Sequence, residues 1–520
     1  MSPNRRIVLN VAATYARSLY AMVLGLFTAR WALQALGRTD YGLMGLVGGL
    51  SGFVTFFNGL MASAVGRFYA VSVGKASRNK EAEVGIEECR MWFNTALTIH
   101  TVLPFALVLV GYPIGAWAVR HFLTIPVDRI DDCILVWRFT CFSCLIAMVN
   151  VPFQAMYTAK QEIAELTVYG IVTATLNAAF LYWMISRPGD WLVKFAAWTC
   201  LLSVMPQIII GCRALFKYRE CRISACYMWK FDRIKEICKY AYARFVANLS
   251  ETFSTQAKAI VVNKFMGPDY NASMTVGTSL SSHAMTFSSS LSAAMWPAIA
   301  NKAGEGDDEG VRRLCFIACR VGALLVLVFA IPLSIEINEV LRLWLGAPPP
   351  FTAEVCCAIL LSTAIQKMSD GYWMAILGKG KGVVYYSHRS CIPGFLLVAI
   401  ACLLFMLGCG MWSVVVAIAS FGVMLTSVRI VAGHRLLSYS PRYWLNAVFV
   451  PISLATTISF LAGLSTRFFM NPSLLRIVAT TALSDVLFLS LVWIVVLKGT
   501  ERDFMKRKFQ LLLNRIGCVG

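Results

Sequence analysis

Arg244, Asn248, Glu251, Thr255 and Lys258 recur at intervals of 4, 3, 4 and 3. A helix turns about 100° per residue, so this spacing keeps all five on one face. Cationic side chains interleaved with amide and hydroxyl groups suit a phosphate-bearing anion, because the guanidinium fork donates two parallel hydrogen bonds to phosphate oxygens. Glu251 within the stripe is either a proton-coupling acid or the counterion of Arg244 or Lys258. The following segment, 271–300, holds eleven Ser or Thr in thirty residues, among them Thr275, Ser279, Ser282, Thr286 and Ser289, together with His283. Such density either lines a hydrated path or lets helices pack closely. Two N-terminal segments carry the same kind of polarity: Asn10, Thr14 and Arg17 with Thr28 and Arg30, then Ser51, Thr55, Asn58, Ser63 and Arg67.

These side chains stand in strongly apolar surroundings. The chain is 58% hydrophobic and 14% charged, where a soluble domain carries about 25% charge. Runs long enough to cross a 30 Å hydrocarbon core, about 20 residues each, recur about fourteen times. The expected fold is therefore an all-α integral membrane protein of two six-helix lobes plus two C-terminal helices. Residues 1–235 form an N-lobe of spans 1–6 with a connector, 236–440 a C-lobe of spans 7–12, 441–498 spans 13 and 14, and 499–520 a basic amphipathic tail on the inner leaflet. Span 4 is expected over 133–158 and span 10 over 351–377. Ser390 to Val428 contains no charge. As one helix it would be about 59 Å long, so Gly408-Cys409-Gly410 must turn the chain between two spans. An internal duplication is visible where Leu36-Gly37-Arg38-Thr39-Asp40-Tyr41 ends span 1 and Met266-Gly267-Pro268-Asp269-Tyr270 ends span 7. Membrane transporters commonly bind substrate at the interface of such repeats.

Of 47 basic residues, 30 fall on alternate connectors and the two termini and 9 on the opposite connectors, which predicts both termini to be cytoplasmic. The net charge of +20 thus reflects membrane topology and not nucleic acid. Eight cations remain inside spans: Arg17, Arg30, Arg67, Arg138, Arg244, Lys258, Arg320 and Lys367. Acids there are few, chiefly Glu251, Asp370 and Asp485. Lys367 and Asp370, three residues apart, can neutralise each other. The excess is positive, as a cavity for an anion requires. For Arg30 and Arg67, near span ends, snorkelling to headgroups is the alternative. Connectors averaging about 15 residues leave no separate catalytic head, so the reading is a transporter without cofactor, not an enzyme. The seventeen cysteines read as free thiols. Cys141 and Cys144 have no second ligand pair, and no metal site is expected. Gly378-Lys379-Gly380-Lys381-Gly382 lacks phosphate-loop spacing.

Leu36-Gly37-Arg38-Thr39-Asp40-Tyr41-Gly42, with Gly48-Gly49, Phe57-Asn58-Gly59 and Ala64-Val65-Gly66-Arg67-Phe68, resembles the first hairpin of the polysaccharide transporter family, the Wzx-like O-antigen and exopolysaccharide flippases of the multidrug/oligosaccharidyl-lipid/polysaccharide (MOP) flippase superfamily. Ile125-Pro126 with Arg129, and Val151-Pro152-Phe153-Gln154-Ala155-Met156, are similar to its third and fourth spans. The resemblance implies a MATE/MOP-like fold around a central cavity that opens alternately to either side. It implies a lipid-linked oligosaccharide on undecaprenyl diphosphate as substrate, the bacterial inner membrane as location, and a polysaccharide polymerase and chain-length regulator as partners. Related lipid II flippases set cavity arginines of spans 1 and 2 against the diphosphate, and Arg17 and Arg67 are the nearest candidates here. The expected substrate-binding set is Arg17, Arg30, Arg67, Arg244, Lys258, Asn248 and Asn58. Lipid II flippases and cation-coupled multidrug or metabolite exporters share the fold and remain alternatives, although span 1 lacks the acidic residue of the drug-exporting branch.

Overall fold

The computed structural model describes residues 3–50, 65, 68–69, 72, 82–160, 162–380, 382–497 and 502. Every regular element described is helical. Nine described helices are long and apolar enough to cross a membrane. Phe231–Met266 and Pro268–Gly304 have the length, 36 and 37 residues, but their polar side chains lower the mean hydropathy. Fourteen crossings therefore remain an expectation, while the all-helical membrane architecture is plain.

Breaks in the helices have local causes. Pro3–Leu50 is interrupted at Gly37, whose φ of 76° and ψ of 174° lie outside the helical region. Gly267 separates the two polar helices with φ 89° and ψ −179°. That region is essentially closed to residues with a Cβ. Gly408 and Gly410, at φ 82° and 54°, make the turn expected between Val383–Met406 and Trp412–Leu437. Two expected spans prove discontinuous. The first is split into Ile130–Val149 and Val151–Ala159 around Asn150, because Pro152 has no N–H to continue the ladder. The second is split into Thr352–Lys367 and Asp370–Lys379. There Ser369 Oγ donates back to Gln366 O at 2.9 Å and across to Thr426 Oγ1 at 3.2 Å.

The chain forms two compact units. The first comprises Met1–Val276, Trp344–Thr352 and Cys391–Val414. In its core Leu43, Leu46 and Val47 are buried with Val119, Trp137 and Leu192. Trp137 lies so close to Gly115 that a Cβ there would come within 2.4 Å of the ring. A further cluster gathers Phe93, Met156, Tyr157 and Ala214. The second unit comprises Gly277–Leu343, Ala353–Ser390 and Val415–Gly520. Asp308–Ile335 runs through its middle, burying Val326 and Ile331 in one cluster with Tyr372, Ile452 and Phe488.

Candidate functional site

The helix Phe231–Met266 is continuous, so Arg244, Asn248, Glu251, Thr255 and Lys258 do share one face. The side chains of the first four lie outside the described residues, as do the side chain of Arg17 and all of Asn58 and Arg67. Lys258 and Arg30 are half-buried, and each has an interaction partner. Two residues from Lys258, Gln256 Oε1 would stand 2.9 Å from a Cβ at Gly49. The polar helix thus packs on the small-residue end of Pro3–Leu50.

One end of the first unit is held by ionic and polar links. Arg129 contacts Asp40 at 3.0 Å and Asp132 at 3.0 Å, and also bonds Asp190. Burial raises the Asp40 carboxyl above its ordinary range, and Arg129 opposes this. The carboxylates in turn hold the Arg129 guanidinium further toward the charged form. Thr39 Oγ1 donates to Asp269 Oδ1 at 2.7 Å. Asn263 Oδ1 accepts from Thr124 N at 2.8 Å, and its Nδ2 donates to Thr124 O at 3.0 Å. Gly42 allows close contact here: a Cβ would come within 2.1 Å of Pro268 O. Both copies of the internal motif are therefore packed together, and the two connectors expected on the outer face, 37–41 and 120–132, are tied to one another.

The helices Ile130–Val149 and Leu192–Lys217 enclose a pocket of about 260 Å³. Thr140, Ser143, Thr199 and Ser203 line it, but each hydroxyl already donates to a carbonyl of its own helix. The remaining lone pairs can only accept, so this pocket has no attraction for an anion. Arg138 is exposed and donates to Tyr112 Oη at 2.9 Å.

In the second unit the acids are the organising charges. Asp370, 6% exposed, accepts from Lys367 at 2.8 Å, from Arg429 at 3.2 Å and from Trp373 Nε1 at 2.9 Å. The Lys367–Asp370 pair is the one the spacing suggested. Arg429 joins it from the helix Trp412–Leu437. Glu336, 1% exposed, accepts from Arg476 Nη2 at 2.8 Å and from Thr480 Oγ1 at 3.2 Å, with Arg467 at 3.9 Å. Arg429, Arg467 and Arg476 read as loop cations from hydropathy. No Gly or Pro separates the apolar run ending at Val428 from Arg429, which was the available signal for that residue. Each cluster sets two cations against one buried acid. Among the described residues no three His, Cys, Asp or Glu approach closely enough to hold a metal ion, and the described cysteines are free.

The MatE family model matches residues 244–369, from the head of the polar stripe to the break at Ser369. No curated protein matches by sequence. Among solved structures the chain is similar to the lipid II flippase MurJ in an inward closed conformation, with a TM-score of 0.66 and 12% identity, over 96% of this chain and 100% of that one. It is similar to a multidrug resistance MATE family transporter of the MOP superfamily in an inward-facing conformation, with a TM-score of 0.61 and 15% identity, over 83% and 98%. A MATE protein in complex with MaL6 gives 0.54 and 16%, over 82% and 96%. The chain is a multi-pass membrane protein with the fold shared by MurJ and the MATE transporters, and it carries a MatE segment at 244–369.

Proposed function

We propose that this protein is a flippase that carries undecaprenyl-diphosphate-linked oligosaccharide repeat units across the bacterial inner membrane by alternating access, supplying O-antigen, capsule or exopolysaccharide assembly. The observation that carries the reading is length of likeness: the fold matches a lipid-linked-substrate flippase over 96% of the chain, but MATE transporters over only 82–83%. The cationic inventory supports the same direction, since Arg17, Arg67, Arg244 and Lys258 suit a diphosphate and no drug cation. In this mechanism those groups draw the diphosphate and its sugars inward from the cytoplasmic leaflet while the lipid tail stays in hydrocarbon. A head carrying two negative charges out of a negative interior gains about 4–5 kcal/mol at 100 mV.

Lipid II is the second reading, favoured by the similarity to MurJ. Complementation separates the two. The proposal expects this chain to restore polymer export in a strain lacking its polysaccharide flippase and not to rescue depletion of a lipid II flippase. Rescue of only the latter would replace it with the second reading, and drug sensitivity on deletion with neither rescue would favour an exporter.

A further inference from the structure

A cavity of about 420 Å³ lies wholly within the second unit, where Pro441–Phe469 begins and Leu474–Val496 ends. One wall is polar, formed by Ser440, Arg442, Tyr443 and Asn446, and the other is apolar, formed by Pro451 and Val495 with their neighbours. Arg442 is exposed and forms no ion pair among the described residues. A second guanidinium is fixed beside the apolar wall: Arg502 Nη2 donates to Ile494 O at 2.7 Å and its Nε to Leu497 O at 3.0 Å. The 29-residue helix that starts at Pro441 presents its positive end to the same place. Ser440 caps it, its Oγ accepting from Tyr443 N at 3.4 Å.

From the cavity an apolar strip leads away along both helices. Val450, Leu454 and Leu461 are 48%, 51% and 59% exposed on one, and Val486 and Ile494 are 66% and 65% exposed on the other. A cationic cup beside exposed aliphatic surface on two membrane-spanning helices matches a molecule with a phosphate head and acyl chains. We propose that this cup is a binding site for an anionic glycerophospholipid, with Arg442 and Arg502 on the phosphate and the acyl chains along Val450–Leu461 and Val486–Ile494.

Native mass spectrometry of the purified full chain tests it, with phosphatidylglycerol and phosphatidylcholine as probes. The expected result is a preference for phosphatidylglycerol that falls about tenfold in Arg442→Ala and stays unchanged in Arg435→Ala, which removes an equal charge from another exposed position. Arg442 is at the surface, so truncation leaves the fold intact, and an unchanged melting temperature verifies this. Equal retention of the two lipids, or no effect of Arg442→Ala, would overturn the proposal. Displacement of bound lipid by inorganic phosphate would also overturn it, marking a site for a free anion.

Discussion

Thr39 Oγ1 donates a 2.7 Å hydrogen bond to Asp269 Oδ1, joining the two copies of one internal motif across 230 positions of sequence. Each copy contains a glycine with positive φ and extended ψ, Gly37 and Gly267. A Cβ at either would meet nothing within 4 Å, so the glycine requirement is one of backbone conformation alone. Gly37→Ala and Gly267→Ala should each cost about 1–3 kcal/mol, read as a lower melting temperature in detergent. Gly111→Ala, in a helix with open space around the Cβ, should cost nothing. Equal behaviour of the three variants would remove the argument for a shared backbone turn in both motifs.

Asp370 balances two buried cations, and its loss should be severe. Asp370→Asn leaves Lys367 and Arg429 facing each other without a countercharge, at a cost of about 3–5 kcal/mol. Asp370→Asn combined with Lys367→Met removes one cation as well and should recover part of the loss. Chemical denaturation of the single and double variants measures the coupling. Strict additivity would mean that the cluster is not a unit.

The Arg129 cluster predicts a dependence on pH. Burial raises the folded-state pKa of Asp40 above its ordinary value, so the folded chain holds that proton more firmly than the unfolded chain. Its contribution is complete below the ordinary carboxylate range and is lost as pH rises through the raised value. Arg129 limits the raise. Arg129→Ala should therefore cost about 1–3 kcal/mol at neutral pH and regain part of it on acidification toward the carboxylate range. Melting temperatures of both proteins across that interval give the test, and a deficit independent of pH would contradict it.

Topology can be read from native thiols. Cys226 and Cys409 are both exposed and lie on connectors to which the charge distribution assigns opposite faces. In single-cysteine variants, a membrane-impermeant maleimide applied to intact spheroplasts should label Cys409 and spare Cys226. The reverse pattern would invert the orientation.

What the sequence makes legible is whatever depends on local chemistry. The turn at Gly408–Gly410 follows from a charge-free run too long for one crossing. Gly37 and Gly267 follow from a repeated motif, and the break near Asn150 is announced by Pro152. The interruption at Ser369 has no such marker, because it depends on hydrogen bonds to Thr426, 57 residues away. Arg429 and Arg476 look like loop cations because hydropathy counts a charge without seeing its partner, and Asp370 and Glu336 are distant in sequence. The single-face stripe from Arg244 to Lys258 was legible from spacing, and the continuous helix beneath it agrees.

The central claim is that cations in the membrane handle a lipid diphosphate. The direct measurement is polymer export in a flippase-deletion strain carrying Arg17→Ala or Arg244→Ala, with protein levels matched by immunoblot. Loss of a charge-assisted contact to phosphate should lower export about tenfold or more in each variant, with Arg435→Ala unaffected. Full export by both Arg17→Ala and Arg244→Ala would contradict the account.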